Sequence, residues 1–207
     1  MKIKKSEILD SLIHLLPKIN NLHSPHSELH SFLKTVARKE VESLFVKKDD
    51  PNLTFHFGPF GDIVFPYVNM GAVDSLNLFD LDELIIFSFY WNNRKRYKNV
   101  LDLGANIGLH SIILEKCGYN VKSYEPDPIH FKLLQKNINL NNCSNIKGIN
   151  AAISFEDGVK EFTRVCGNTT GSHISGAKDN PYGDLDKFLV KVDSIEPLLE
   201  WADLVKM

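Results

Sequence analysis

Val100-Leu101-Asp102-Leu103-Gly104-Ala105-Asn106-Ile107-Gly108-Leu109-His110-Ser111 decides how this chain is read. The stretch opens as a short apolar run, breaks into a turn punctuated by two glycines, and resumes helical spacing at Leu109, Ile112 and Ile113. A buried parallel strand running into a helix N-terminus has this pattern. Glycines let the backbone turn sharply and approach a ligand where a side chain would collide. Asp102 falls at the carboxyl end of the strand, where open α/β sheets bind their ligands.

Downstream the same rhythm repeats. Gly118 is placed to end the helix, Val121-Lys122-Ser123-Tyr124-Glu125 reads as a second strand, and Asp127-Pro128 as N-cap and first residue of the next helix. Ile146 to Ile153 reads as a third strand. Helices alternating with strands at these lengths predict βαβ units and a parallel sheet. The rhythm then changes: a turn at Glu156-Asp157-Gly158, strands over Val159 to Val165 and Phe188 to Asp193, and a polar, loop-like segment from Gly167 to Tyr182. Trp201 to Met207 resembles the start of another buried strand, so the sheet is expected to be incomplete at its C-terminus.

Upstream, Ile8, Leu9, Leu12, Ile13, Leu15 and Leu16 recur at helical spacing until Pro17. Ser24-Pro25 reads as the start of a second amphipathic helix. Leu53-Thr54-Phe55-His56-Phe57 and Asp62-Ile63-Val64-Phe65 alternate around Gly58-Pro59-Phe60-Gly61, which predicts a β-hairpin. Asp80 with Glu83 three residues on suggests a capping box. Residues 1–96 are therefore expected to form an accessory region and residues 97–207 the core. His23, His26 and His30 are spaced so that the last two share a helix face, as metal ligands can, but no cysteine or second motif joins them, so an exposed amphipathic helix and no metal site are expected. Asn180-Pro181-Tyr182 resembles the Asn-Pro-Pro-Tyr of amino-methylating DNA enzymes, lacks one proline, and follows the inserted strands.

Composition narrows the function classes. Twenty-four Lys and Arg against 26 Asp and Glu give no electrostatic reason to expect nucleic acid. Cys117, Cys143 and Cys166 have no paired CxxC spacing, which points to a reduced, cytoplasmic setting. No apolar run approaches the roughly 20 residues that a membrane span needs.

The turn's ligand follows from its residues. A dinucleotide fingerprint wants a glycine where Leu109 stands, and Asp102 would repel a pyrophosphate, which argues against a nicotinamide-dependent oxidoreductase. An acidic strand end suits a ligand with an amino group and a sulfonium, as S-adenosylmethionine has. Glu125 ends the second strand about 20 residues after Gly104, the spacing at which a carboxylate takes ribose hydroxyls.

Val100 to Gly108, then Tyr124-Glu125-Pro126-Asp127-Pro128, then Asn150-Ala151-Ala152-Ile153-Ser154 with Asp157-Gly158, together resemble the FkbM family of S-adenosylmethionine-dependent methyltransferases. The resemblance covers Tyr97 to Met207. It implies a Rossmann-like class I methyltransferase sheet in which Gly104, Ala105 and Gly108 approach the methionine part of the cofactor. It further implies that Glu125 binds the ribose and that Asp127, Ala151 and Ala152 flank the adenine. Asp102, Asn106 and Pro126 complete the expected cofactor set. The family continues past a Leu-Val-Lys-Met-like strand into an Asp-x-Glu-Gly segment, which this chain lacks. The expected activity is methyl transfer to a hydroxyl oxygen of a sugar, glycan or other small acceptor. His173, in the loop from Asn168, is the residue expected to orient or deprotonate that acceptor. The alternative is a non-catalytic remnant that at most binds the cofactor.

Overall fold

The computed structural model describes residues 3–19, 24–178 and 183–207, so His23 and Asn180-Pro181-Tyr182 lie outside the described residues. Contacts divide the chain into two units. The first takes the described residues up to Val68 with Asp74–Arg96, and the second takes Asn69–Val73 with Tyr97–Met207.

In the first unit, β1 (Lys4–Lys5) leads into α1 (Glu7–Leu15), where the Ser6 hydroxyl accepts from the Leu9 N–H at 3.1 Å. Leu16–Lys18 then tighten into a 3₁₀ turn around Pro17. α2 (Glu28–Leu44) begins later than the Ser24-Pro25 pattern predicts. Ser27 is the cap, accepting from His30 N–H at 3.0 Å, while the Ser24 carbonyl closes a turn on Ser27 N–H. His30 is buried and its Nε2 lies 2.9 Å from Asp82 Oδ1. The predicted hairpin forms as β2 (Thr54–His56) and β3 (Asp62–Val64), antiparallel, with β1 added parallel to β2.

α3 (Leu81–Asn92) starts at Asp80 without the expected side-chain cap, because Asp80 Oδ1 accepts from Arg38 Nη1 at 3.4 Å instead. The unit's core is aromatic. Fully buried Phe79 meets Phe45, Phe55, Phe57, Phe65 and Phe87 at centroid separations of 5.1–6.5 Å. Tilted and edge-on rings at these distances add specific attraction to their burial.

The second unit runs β4 (Asn99–Leu103), α4 (Leu109–Lys116), β5 (Asn120–Tyr124), α5 (Pro128–Leu140) and β6 (Ile146–Ile149). It continues through β7 (Ala152–Ser154), β8 (Gly158–Val165), β9 (His173–Ile174), β10 (Leu185–Ser194), α6 (Glu196–Trp201) and β11 (Leu204–Lys206). Gly118, at φ +92°, ends α4 as its position predicts, its N–H donating to Glu115 O at 2.7 Å. Asp127 caps α5, accepting from Ile129 N–H at 2.8 Å, with Pro128 in the first turn.

One sheet has the order β11-β4-β5-β6, parallel throughout. The chain steps outward from β4 through β5 to β6, then returns to β11 on the other side of β4. The carboxyl ends of β4 and β11 therefore flank a topological switch point, the place where such sheets hold ligands.

The third predicted strand does not run on to Ile153. It breaks after Ile149, where the Asn150 side-chain amide donates to the carbonyls of Glu125 and Pro126 at 2.7 and 3.0 Å. Released there, the chain enters a second sheet of order β7-β10-β8-β9. The loop-like stretch after Gly167 contributes β9, which pairs with Phe162 and Thr163 of β8. Asn69–Val73 lies along the same stretch: Ala72 N–H donates to Gly167 O at 2.9 Å and Thr169 N–H to Met70 O at 3.1 Å. Gly71, at φ +96°, is required here, since a Cβ would stand 2.2 Å from Gly167 O.

Among the described residues no helix is long and apolar enough to cross a membrane.

Candidate functional site

The turn between β4 and α4 is built from three left-handed residues, Gly104 (φ +68°), Asn106 (φ +53°) and Gly108 (φ +90°). Asparagine tolerates that conformation better than other non-glycine residues. A Cβ on Gly104 would meet nothing within 4 Å, so this side of the turn is open. A Cβ on Gly108 would stand 3.2 Å from Leu134 Cγ, so Gly108 lets α5 pack against the start of α4. Ala105 N–H donates to the Tyr124 carbonyl at 2.9 Å, tying the turn to the end of β5.

Asp102 is fully buried. Its Oδ2 accepts from the Ser111 hydroxyl at 2.6 Å, and Ser123 donates to Ser111 at 2.7 Å. Lys206 Nζ lies 3.0 Å from Oδ1, an ion pair without hydrogen-bond alignment, and 3.3 Å from Gly104 O. Burial opposes the Asp102 charge, but Lys206, His110 and Ser111 outweigh it and hold the carboxyl below its ordinary range. The cation facing Asp102 in this fold is thus the chain's own Lys206, where the sequence reading places a ligand's.

Glu125 follows β5 and is only 6% exposed. Its two oxygens accept backbone N–H groups from the flanking loops, Asn106 at 2.7 Å and Asp127 at 2.9 Å. Burial nevertheless dominates and pushes its pKa up to about 7, with the Asp127 and Asp102 charges adding to the rise. Asn106 Oδ1 is buried and accepts no hydrogen bond, whereas Asp102 Oδ1 is met by the Lys206 ammonium. The turn therefore presents one unmet acceptor, on Asn106.

Asp127 is engaged from another direction. Arg164, on β8, grips its carboxylate with both arms, Nε to Oδ2 at 2.6 Å and Nη2 to Oδ1 at 2.7 Å. Arg164 also reaches Asp186 at 2.9 Å and stacks on Phe188. Burial raises the Asp127 pKa, but this fork and the Ile129 N–H reverse the effect and leave it low. One turn along α5, His130 Nε2 lies 2.9 Å from the Thr169 hydroxyl, and burial lowers the His130 pKa.

A cavity of about 480 Å³ opens at the carboxyl ends of β4 and β5, with predominantly apolar walls. Of the sequence-predicted residues, Gly104, Pro126, Ala151 and Ala152 line it; Asp102, Ala105, Asn106, Gly108, Glu125, Asp127 and His173 do not. The structure thus gathers Asp102, Ala105, Asn106, Gly108 and Glu125 around the turn, and Pro126, Ala151 and Ala152 along the cavity, with Gly104 in both. His173 stands apart. It pairs with Thr163, and strand alternation puts it on the face opposite Ile174, the β9 residue that lines the cavity. Its Nδ1 donates to the Gly171 carbonyl at 3.0 Å, since a carbonyl can only accept.

Arg164, Lys206, Asn150 and Tyr124 are the residues that sequence reasoning missed. Arg164 carried a signal, a charge two positions from Phe162 on one strand face. Tyr124 directly precedes the predicted ribose carboxylate.

No family model matches the chain, and no curated protein matches it. Among solved structures it is similar to a SAM-dependent methyltransferase from Agrobacterium tumefaciens, at 17% identity and a TM-score of 0.32. That alignment covers 34% of this chain, which spans 24% of the length of the other.

Proposed function

We propose that the second unit binds S-adenosylmethionine at the β4 turn and serves methyl transfer to a hydroxyl oxygen of a sugar, glycan or other small acceptor, as FkbM-type enzymes do. The observation that carries this reading is the pairing of Glu125 with Asn106 at the switch point. One carboxylate joins the glycine turn to the end of the neighbouring strand, next to an apolar cavity of ligand size. The residues fit the cofactor's chemistry. Each Glu125 oxygen holds one backbone donor, which leaves a lone pair on each for the two ribose hydroxyls. Asn106 Oδ1, buried and unpaired, is an acceptor of the kind an amino group needs.

When bound, the cofactor supplies an electrophilic methyl group on a sulfonium. The chain's part is alignment, since displacement at carbon demands that donor and acceptor be held in line. The open side of Gly104 gives the backbone a close approach to the ligand. Lys206, shared between Asp102 and the Gly104 carbonyl, fixes the turn from β11. His173 faces away from the cavity, and we give it no step.

Calorimetric titration of the full chain with S-adenosylhomocysteine and with NAD tests the reading. Binding of the first that is lost in Glu125→Ala is the expected result. Preference for NAD would overturn it. Binding without turnover on any hydroxyl acceptor would favour the non-catalytic alternative.

A further inference from the structure

The parallel sheet has a second cavity, at the opposite end of its strands from the switch point. It measures about 230 Å³ and opens where β5 and β6 begin, with Lys122, Ser144, Asn145, Lys147 and Trp201 on its wall. No carboxylate lines it. Lys122 and Lys147 are register partners on neighbouring parallel strands, so they stand about 4.8 Å apart and their side chains leave the same sheet face. Like charges placed directly opposite repel. Among the described residues neither ammonium has a hydrogen-bond or ion-pair partner, and Lys122 Nζ lies over the Trp201 ring, 4.1 Å from its centroid. The Ser144 hydroxyl and the Asn145 side-chain amide are likewise unused among the described residues. Glu115 takes the Asn145 backbone N–H at 2.7 Å but is not part of the wall.

We propose that this cavity binds a phosphate dianion, free or as the monoester of a small molecule, between Lys122 and Lys147. The fold brings two cations together and supplies no anion, and a ligand with two negative charges answers both. Its several oxygens also accept from Ser144 and Asn145, which a singly charged carboxylate meets only in part. The Trp201 ring holds the Lys122 ammonium at the wall by a cation–π contact, so the site is partly set before the anion arrives. A polyanion is the wrong partner, because 24 Lys and Arg against 26 Asp and Glu leave no excess positive charge to hold one. The site stands apart from the β4 turn and does not rest on the cofactor reading.

The test is titration of the full chain with inorganic phosphate and with glycerol phosphate at about pH 7.5, where a phosphate monoester is a dianion. Amide resonances report binding, and thermal unfolding is compared with chloride at equal ionic strength. The amides of Lys122, Asn145 and Lys147 should shift saturably in the parent. Lys147→Gln should bind about tenfold more weakly, the worth of one hydrogen bond to a charged group. Lys122→Met combined with Lys147→Gln should not bind. Lys147→Glu sets opposite charges in register, so in chloride its unfolding midpoint should be no lower than the parent's. The extra stability that phosphate gives the parent should be lost in that variant. Phosphate acting only by exclusion from the protein surface would stabilise every variant alike. An equal phosphate response in the parent and Lys147→Glu therefore overturns the proposal, as does the absence of saturable shifts at the three amides. Tighter binding of glycerol phosphate assigns the site to a monoester and tighter binding of inorganic phosphate to the free ion, and either order upholds it.

Discussion

Lys206 Nζ stands 3.0 Å from Asp102 Oδ1, joining the ends of two parallel strands that lie far apart in sequence but are directly paired, Lys206 opposite Asp102. The carboxylate is fully buried, and the lysine side chain is 19% exposed. Removing one partner of such a pair leaves an uncompensated buried charge. Lys206→Met should therefore destabilise the protein by about 3–5 kcal/mol in urea unfolding. The double variant Asp102→Asn with Lys206→Met should recover most of that loss. Equal destabilisation in the single and double variants would mean that the lysine acts through packing alone. The sign with pH follows from the depressed Asp102 pKa: this stabilisation is present above the ordinary carboxylate range and is lost as pH falls through the folded value.

Arg164 makes a second prediction. Its two arms hold the residue that caps α5, so the pair fixes the start of that helix to β8. A lysine carries the charge but not the planar fork. Arg164→Lys should lower stability by about 1–3 kcal/mol, and Arg164→Met by more, because Asp127 is then a buried charge with only backbone donors left. Amide exchange at Ile129 and His130 should quicken in both variants. Unchanged exchange there would remove the capping role.

Gly71 is the simplest case. Alanine there must adopt a left-handed conformation and place its Cβ 2.2 Å from the Gly167 carbonyl. Gly71→Ala should cost about 2–4 kcal/mol and free Asn69–Val73 from the stretch beside Asn168. Loss of amide protection at Ala72 and Thr169 is the measurement, since those two donors make the contact.

The sequence made the elements around the turn readable because each has a local cause. Apolar runs mark β4 and β5, Gly118 can end α4 at positive φ, and Asp127-Pro128 starts α5 by capping and a fixed φ. What was hidden depended on distant partners. Nothing local at Ile146 to Ile153 says that Asn150 will donate to carbonyls of Glu125 and Pro126 and stop the strand. Ser27 caps α2 although Ser24-Pro25 is the stronger local signal, because the chain makes a turn first. Asp80 has the right neighbours for a capping box, and Arg38 takes its carboxylate instead. In the candidate site, Asp102 and Glu125 stood out as acidic strand ends. Their roles diverged only once the fold brought Lys206 to one and the Asn106 and Asp127 amides to the other.

Glu125 supplies the prediction that joins stability to binding. Its pKa in the folded chain is about 7, above the ordinary glutamate value, and burial is the main cause. Between the two values the folded protein keeps a proton that the unfolded chain has released, so stability declines as pH rises through that window. Urea unfolding from pH 5 to 7.5 should show this decline, and Glu125→Gln should lack that part of it. Cofactor binding has the opposite slope. The ribose hydroxyls donate to an ionised carboxylate, so ligand binding must expel the proton wherever the free protein holds one. Affinity for S-adenosylhomocysteine should therefore rise about tenfold per pH unit below 7 and level off above it. Glu125→Gln should bind more weakly at pH 8 and lose this dependence. An affinity that is flat from pH 5.5 to 8 in the parent would show that the carboxylate does not meet the ribose, whatever else the cavity beside it holds.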